Sequence, residues 1–219
     1  MISWNRIQSV FLDMDGTLLD LHYDNYFWLK HVPIRYAEHH NLTLEAAQHE
    51  LMQRYNRVAG TMQWYCVDYW SQALDLDIEH LKQEVAHLIA VHPQVVPFLQ
   101  QLRAVGKRVV LLTNAHHKSL TLKMNKTGLH PHFHTLISAH RVGIPKENPD
   151  FWQRLQRLEA FNPKNTLLID DSLPVLRSAR GYGIEHLLAV YQPDSRQARK
   201  EVEDFMAIES FEQILPALE

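Results

Sequence analysis

Four places in this chain carry side chains whose types and spacing suit chemistry. Asp13 and Asp15 end the apolar run Val10-Phe11-Leu12, and Thr113 and Asn114 end Val109-Val110-Leu111-Leu112. Asp170 and Asp171 end Leu167-Leu168-Ile169, and Lys146 lies between the last two in Gly-Ile-Pro-Lys-Glu-Asn-Pro. A strand alternates its side chains, so Asp13 and Asp15 start on one face before Gly16 loosens the backbone. Two carboxylates at the mouth of an apolar sheet repel each other, and a divalent cation relieves that repulsion. An Asp-Gly turn ending a strand with no chemistry at all would read the same way at this one place. The later segments, in fixed order, favour the chemical reading.

The elements that must position these groups are strands near 8–13, 108–112, 134–138, 166–170 and 186–190. They alternate with helical patterns near 95–105, 116–127, 149–159 and 173–181. Such alternation predicts crossover connections and a parallel sheet covered on both faces. The carboxyl ends of its strands would then form one edge, where ligands of open α/β sheets bind. The tail from Ser195 to Glu219 reads as a helix, a short strand near Met206–Ile208 and a closing helix.

Residues 22–92 break the alternation. They hold helical stretches, including Leu44–Val58 and Ile78–Ala90, and many aromatic rings, among them Trp28, Tyr55, Trp64, Tyr65, Tyr69 and Trp70. An interval of this length is no idle loop. It predicts a small helical domain, 22–92, inserted into a core made of 1–21 and 93–219.

In these motifs and their order the chain resembles the haloacid-dehalogenase-like (HAD) phosphohydrolases, over nearly its whole length. The resemblance implies a doubly wound, Rossmann-like α/β core with an inserted helical cap. It also implies Mg²⁺-dependent hydrolysis of a phosphomonoester through an aspartyl phosphate. Asp13 would be the nucleophile, and Asp15 would protonate the leaving oxygen and then deprotonate water. Asp15 also discriminates, because members that attack carbon–halogen bonds lack it. Gly16 would let the chain turn, with Thr17 tying the turn by a local hydrogen bond. Thr113 and amides around Asn114 would bind phosphate at the start of a helix, though a plain N-cap would explain the pair too. Lys146 would balance charge in the transition state. The metal set would be Asp13, the carbonyl of Asp15, Asp171 and Asp170, with the order of the last two left open, and Ser172 would cap the next helix. Many members carry proline directly after the lysine, where this chain has Glu147.

Within the family, Thr-Asn-Ala-His at 113–116, Pro-Lys-Glu at 145–147, Asp-Asp-Ser-Leu-Pro-Val-Leu at 170–176 and Trp-Asn-Arg-Ile at 4–7 resemble the GMP/IMP nucleotidases. That implies a purine 5′-mononucleotide as substrate, its base stacked on cap aromatics. Trp64, Tyr65, Tyr69, Trp70 and His116 are the candidates for substrate contact. A phosphatase for a small sugar phosphate or phosphoglycolate is the alternative, and a non-catalytic binding protein on the same fold is the alternative of another class. A phosphonate hydrolase would need a Schiff-base lysine in the cap, where Lys30 and Lys82 have no supporting motif.

Composition bounds these readings. The 219 residues are 46% hydrophobic and 21% charged, as in ordinary globular proteins. A formal charge of −3 gives no reason to expect a nucleic acid or anionic membrane partner, and no obligate protein partner is evident. Cys66 is the single cysteine and reads as a packing residue between aromatic neighbours. The fifteen histidines suggest no zinc site in sequence, since His39-His40 and His116-His117 are adjacent pairs and His130, His132 and His134 share a loop with Pro131. The amino terminus lacks a signal-peptide pattern and no apolar run approaches the roughly 20 residues of a membrane span, so a cytoplasmic location is expected.

Overall fold

The computed structural model describes residues 2–217, so the end of the expected closing helix lies outside the described residues. Short apolar runs form the strands of one parallel sheet. They are β1 (Ser9–Leu12), β2 (Arg108–Thr113), β3 (Thr135–Ser138), β4 (Thr166–Ile169), β5 (His186–Val190) and β6 (Ala207–Ile208), in the order β3-β2-β1-β4-β5-β6. β1 sits at the centre, with Leu12 level with Leu111 of β2 and Ile169 of β4. That register brings the residues that follow each strand to a common edge.

Alternation along the strands feeds two cores. Val10, Leu12, Val109, Leu111, Leu167 and Ile169 pack on one face, with Val95, Phe98 and Leu99 of α6 (Val95–Ala104) and Met124 of α7 (His117–Thr127). Phe11, Val110, Leu112 and Leu168 pack on the other, against α8 (Ala139–Val142), α9 (Phe151–Leu155) and α10 (Leu173–Tyr182). Helices on both faces make the sheet doubly wound, as the alternation predicts.

Between β1 and α6 the chain forms five helices, α1 (His22–Tyr26), α2 (Val32–His40), α3 (Leu44–Val58), α4 (Val67–Leu74) and α5 (Ile78–Glu84). Their starts are written locally. The side chains of Thr43, Cys66 and Asp77 accept hydrogen bonds from the N–H groups of Ala46, Tyr69 and His80. A π-helical turn, Phe27–His31, joins α1 to α2. There Val32 N–H bonds to Phe27, and Pro33 has no N–H to offer. The Trp28 carbonyl instead accepts from the Tyr55 hydroxyl at 3.2 Å. Tyr55 also meets Trp28, Trp64 and Trp70 edge-on, so much of the aromatic load is core.

The insertion leaves and rejoins the sheet layer at one place. Leu19 pairs antiparallel with Val91, and His92 N–H donates to the Leu18 carbonyl at 2.9 Å. This return requires extended backbone, so the helix expected over Ile78–Ala90 ends at Glu84 and only a 3₁₀ turn, Ala86–Leu88, follows.

Two further segments depart from expectation. The helix expected over 149–159 shrinks to Phe151–Leu155, because the Gln156 side chain bonds both backbone groups of Phe161 and Glu159 is held by Arg108. The helix expected after Ser195 is a loop. It turns back to bond Lys200 N–H to the Tyr191 carbonyl at 2.9 Å, and among the described residues after β6 a 3₁₀ turn, Phe211–Ile214, stands in place of the closing helix. Among the described residues no helix is long and apolar enough to cross a membrane.

Candidate active site

The sheet register carries Asp13 and Asp170, just past β1 and β4, and Thr113, the last residue of β2, to one edge. Lys146 reaches in from the loop after α8. Its Nζ donates to Asp13 Oδ1 at 2.6 Å, to Asp170 Oδ2 at 2.6 Å and to the Leu112 carbonyl at 3.0 Å. Three donors meet three acceptors in a site where Lys146 is 1% exposed. Burial opposes the lysine charge, but Asp13 and Asp170 outweigh it and raise its pKa.

The carboxylates remain crowded. Burial and Asp170 push Asp13 up to about 6 against the pull of Lys146, and burial raises Asp170 as well. Asp171 is pushed up to about 6 by burial despite Lys200. One oxygen from each of Asp13, Asp170 and Asp171 lies within 4.8 Å of the others. An all-oxygen, anionic donor set of this kind suits a hard cation such as Mg²⁺.

Glycine at position 16 is a steric need. Its φ is +85°, and a Cβ there would lie 2.8 Å from Cγ of Asp171. The turn is closed by Gly16 N–H to the Leu19 carbonyl at 2.7 Å. The hydroxyl of Thr17 takes no part, since its oxygen is buried without a hydrogen-bond partner. Ser172 likewise precedes α10 without a side-chain cap bond, and its N–H donates to Asp170 Oδ1 at 2.9 Å.

Thr113 Oγ1 accepts from Ala115 N–H at 3.0 Å, which leaves its own proton free to donate toward the pocket. His116, not the Thr113-Asn114 pair, takes the N-cap position of α7, and it makes no side-chain cap bond. The N–H groups of that first turn are thus left without a side-chain cap, and Ser119 within it lines the cavity that holds Asp13. Asn114 fixes the lysine loop: its Oδ1 accepts from Lys146 N–H at 2.9 Å and its Nδ2 donates to Glu147 at 2.8 Å. Glu147 in turn accepts from the Tyr65 hydroxyl at 2.8 Å. The residue that departs from the family's proline thus ties the insertion to the catalytic edge.

A cavity of about 320 Å³ opens beside these groups, lined at its base by Asp13 and Asp15 and above by Trp28, Trp64 and Tyr65. Volumes of this order suit small-molecule ligands. His116 reaches the cavity. Trp70 touches it but is 1% exposed and donates its ring N–H to the Trp64 carbonyl, so it is chiefly core. Tyr69 does not reach it and instead flanks a separate depression with Glu50 and Arg54. Trp28 was not among the expected contacts, because its helical spacing matches that of core neighbours.

A second lysine was also hidden in the sequence. Lys123 of α7 is 1% exposed and donates to Asp15 Oδ1 and to Asp24 Oδ2, both at 2.6 Å. Lys82 of α5 approaches Asp24 at 3.4 Å, and its ammonium sits 4.3 Å from the Phe27 ring centroid. Burial lifts Asp15 to about 7, against Lys123. Lys200, from the loop expected to be a helix, contacts the backbone carbonyl of Asp171 and lies 3.3 Å from its carboxylate.

Residues 7–183 match the family model of haloacid dehalogenase-like hydrolases. The chain belongs to that family. It is 39% identical to the GMP/IMP nucleotidase YrfG of Escherichia coli over 217 residues, covering 99% of this chain and 98% of the relative. A HAD phosphatase from Thermococcus onnurineus superposes with a TM-score of 0.79 at 21% identity, covering 95% of this chain and 96% of that one. The magnesium-bound HAD hydrolase YfnB of Bacillus subtilis does so at 0.63 and 19% identity, covering 95% and 97%. The protein is a hydrolase of phosphoric monoesters, with the Rossmann-like core of its family.

Proposed function

We propose that the protein removes the 5′-phosphate of purine mononucleotides, with Asp13 as nucleophile and residues 22–92 as a cap over a core of 1–21 and 93–219. The observation that carries this reading is the single cavity joining the Asp13–Asp170–Asp171 cluster to the rings of Trp28, Trp64 and Tyr65. Similarity to GMP/IMP nucleotidases along 99% of the chain supports a purine as the base.

A carboxylate oxygen of Asp13 attacks phosphorus while the bond to the 5′-oxygen breaks and Asp15 gives that oxygen its proton. The nucleoside leaves and an aspartyl phosphate remains. Asp15, now ionised, takes a proton from water, whose oxygen attacks phosphorus and frees Asp13 and inorganic phosphate. Lys146 offsets the charge gathering on the phosphoryl oxygens, and the Thr113 hydroxyl and the α7 amides bind them. Asp13, Asp171 and the Asp15 carbonyl would hold Mg²⁺, which would supply positive charge against that gathering on the phosphate. Asp171 is favoured over Asp170 as the direct ligand, because both Asp170 oxygens already accept hydrogen bonds from Lys146 and Ser172.

The test is phosphate release, with Mg²⁺, from GMP, IMP, pyrimidine nucleotides, sugar phosphates and phosphoglycolate. Purine nucleotides should have the highest kcat/KM. Trp64→Leu should lower that value about tenfold for GMP, since base–aromatic stacking contributes roughly 1–3 kcal/mol, and should spare a small aryl phosphate. A wild type that preferred sugar phosphates would refute the nucleotidase assignment.

A further inference from the structure

A second donor cluster lies where the insertion meets the core. Cys66 precedes α4, His116 precedes α7 and His140 lies in α8, yet the Cys66 sulfur and one ring nitrogen of each histidine are all within 4.8 Å of one another. His116 is 4% exposed. Its Nε2 faces the Asp68 carboxylate at 3.6 Å, which favours the ring proton on that side and leaves a lone pair on Nδ1. Nδ1 of His116 is buried with no hydrogen-bond partner, and so is Nε2 of His140. Buried polar atoms are nearly always paired, so two orphaned nitrogens beside one sulfur call for a missing partner. Burial also disfavours protonation of both rings, which keeps their lone pairs available.

We propose that Cys66, His116 and His140 bind a thiophilic divalent cation of the zinc class, which fastens the cap to the phosphate-binding edge. Thiolate and imidazole donors select such an ion, whereas the oxygen cluster at Asp13 suits Mg²⁺. Tetrahedral zinc, with bonds of about 2.0–2.3 Å, would draw the donors to roughly 3.3–3.8 Å from one another, a closure of an ångström or so. Binding replaces the S–H bond by a sulfur–metal bond and releases that proton to solvent. The Tyr69 N–H donates to the sulfur at 3.4 Å and so holds it at the start of α4. Asp68, itself 2.9 Å from Lys118, orients His116. Three protein ligands leave one position for water. Since Cys66 moves with the cap while the histidines belong to the core, occupancy resists cap opening.

The experiment is titration of Co²⁺ into chelator-treated, Mg²⁺-saturated full-length protein, read by absorption. One equivalent should produce tetrahedral visible bands with a thiolate-to-cobalt charge-transfer band, and Zn²⁺ should abolish both. Cys66→Ser should lose the charge-transfer band, and His140→Gln should weaken binding at least tenfold, with folding of each checked by melting. Zn²⁺ should also slow turnover of the wild type far more than of Cys66→Ser. Absence of the charge-transfer band in the wild type would overturn the site, whatever the variants do. Equal zinc inhibition in wild type and Cys66→Ser would overturn the cap-fastening role.

Discussion

Two buried lysines each bridge a pair of carboxylates at 2.6 Å, yet they join different things. Lys146 ties Asp13 to Asp170 within the core, and its third donor meets the Leu112 carbonyl. Lys123 ties Asp15 of the core to Asp24 of the insertion, and its ammonium lies 5.1 Å from the Tyr23 ring centroid at the wall of the cavity. The first arrangement is rigid and local to the phosphate site. The second runs on to Lys82, forming a chain of alternating charge that crosses from the sheet edge into the insertion. The proposed nucleophile is therefore held by the core alone, whereas the lysine that holds the proposed acid is shared with a carboxylate of the insertion.

The largest effect should come at the first bridge. Asp13→Asn should lower kcat at least about 10³-fold on every phosphate ester, because no nucleophile remains. Its melting temperature should hold or rise, since one crowded buried carboxylate is gone. Retention of a tenth of the activity would exclude the covalent route.

Lys146→Ala should come next, lowering kcat about 10²–10³-fold on all substrates alike. It should also destabilise the fold by about 3–5 kcal/mol, as expected for a buried pair stripped of its cation. Mg²⁺ should restore part of that stability, because it would neutralise the same carboxylates. No restoration would separate the metal from the Asp13–Asp170 pair.

Why one lysine could be read from the chain and the other could not is physical. Lys146 sits in a short loop between two of the strand ends, where its place in the motif order matches the family the chain resembles, and that resemblance assigned it to the site. Lys123 lies mid-helix in Leu122-Lys123-Met124, where periodicity distinguishes a buried face but not a buried charge. Its partners, Asp15 and Asp24, are about a hundred residues away, 108 and 99 positions respectively. The strands and their parallel direction were legible because burial on both faces leaves continuous apolar runs, and the helical insertion because it breaks their alternation with helices. The loop carrying Lys200 was misread as helix, because only the tertiary contact to Asp171 decides its shape. The Cys66–His116–His140 cluster was invisible for the same reason, its three donors lying on three separate segments.

Lys123→Met should therefore behave unlike Lys146→Ala. It should lower kcat about tenfold to a hundredfold on a nucleotide, less than the roughly 10²–10⁴-fold of full general acid catalysis, because Asp15 remains but loses the group that positions it. The loss should be smaller on p-nitrophenyl phosphate, whose leaving group departs without a proton. Mg²⁺ should not rescue its stability. Equal losses on both substrates would place Lys123 in phosphate binding rather than beside the acid.

The smallest effect belongs to the far end of the chain, at Lys82. Burial beside Phe27 and Trp28 pushes its ammonium down to about 8, although Asp24 pulls the other way. The unfolded chain keeps that proton up to about 10.5. Between pH 8 and 10.5 the unfolded state thus binds more protons than the folded one, so this group makes stability rise with pH across that window. Below pH 8 both states are protonated, and the folded state bears the full cost of the buried charge. Lys82→Met should flatten the rising limb in chemical denaturation measured from pH 7.5 to 10.5, and should leave kcat within a few-fold. The pH slope of the variant decides the matter. If it matched the wild type, the Asp24 pairing would have held Lys82 near its ordinary value, and the charge chain would be evenly balanced from Asp15 to α5.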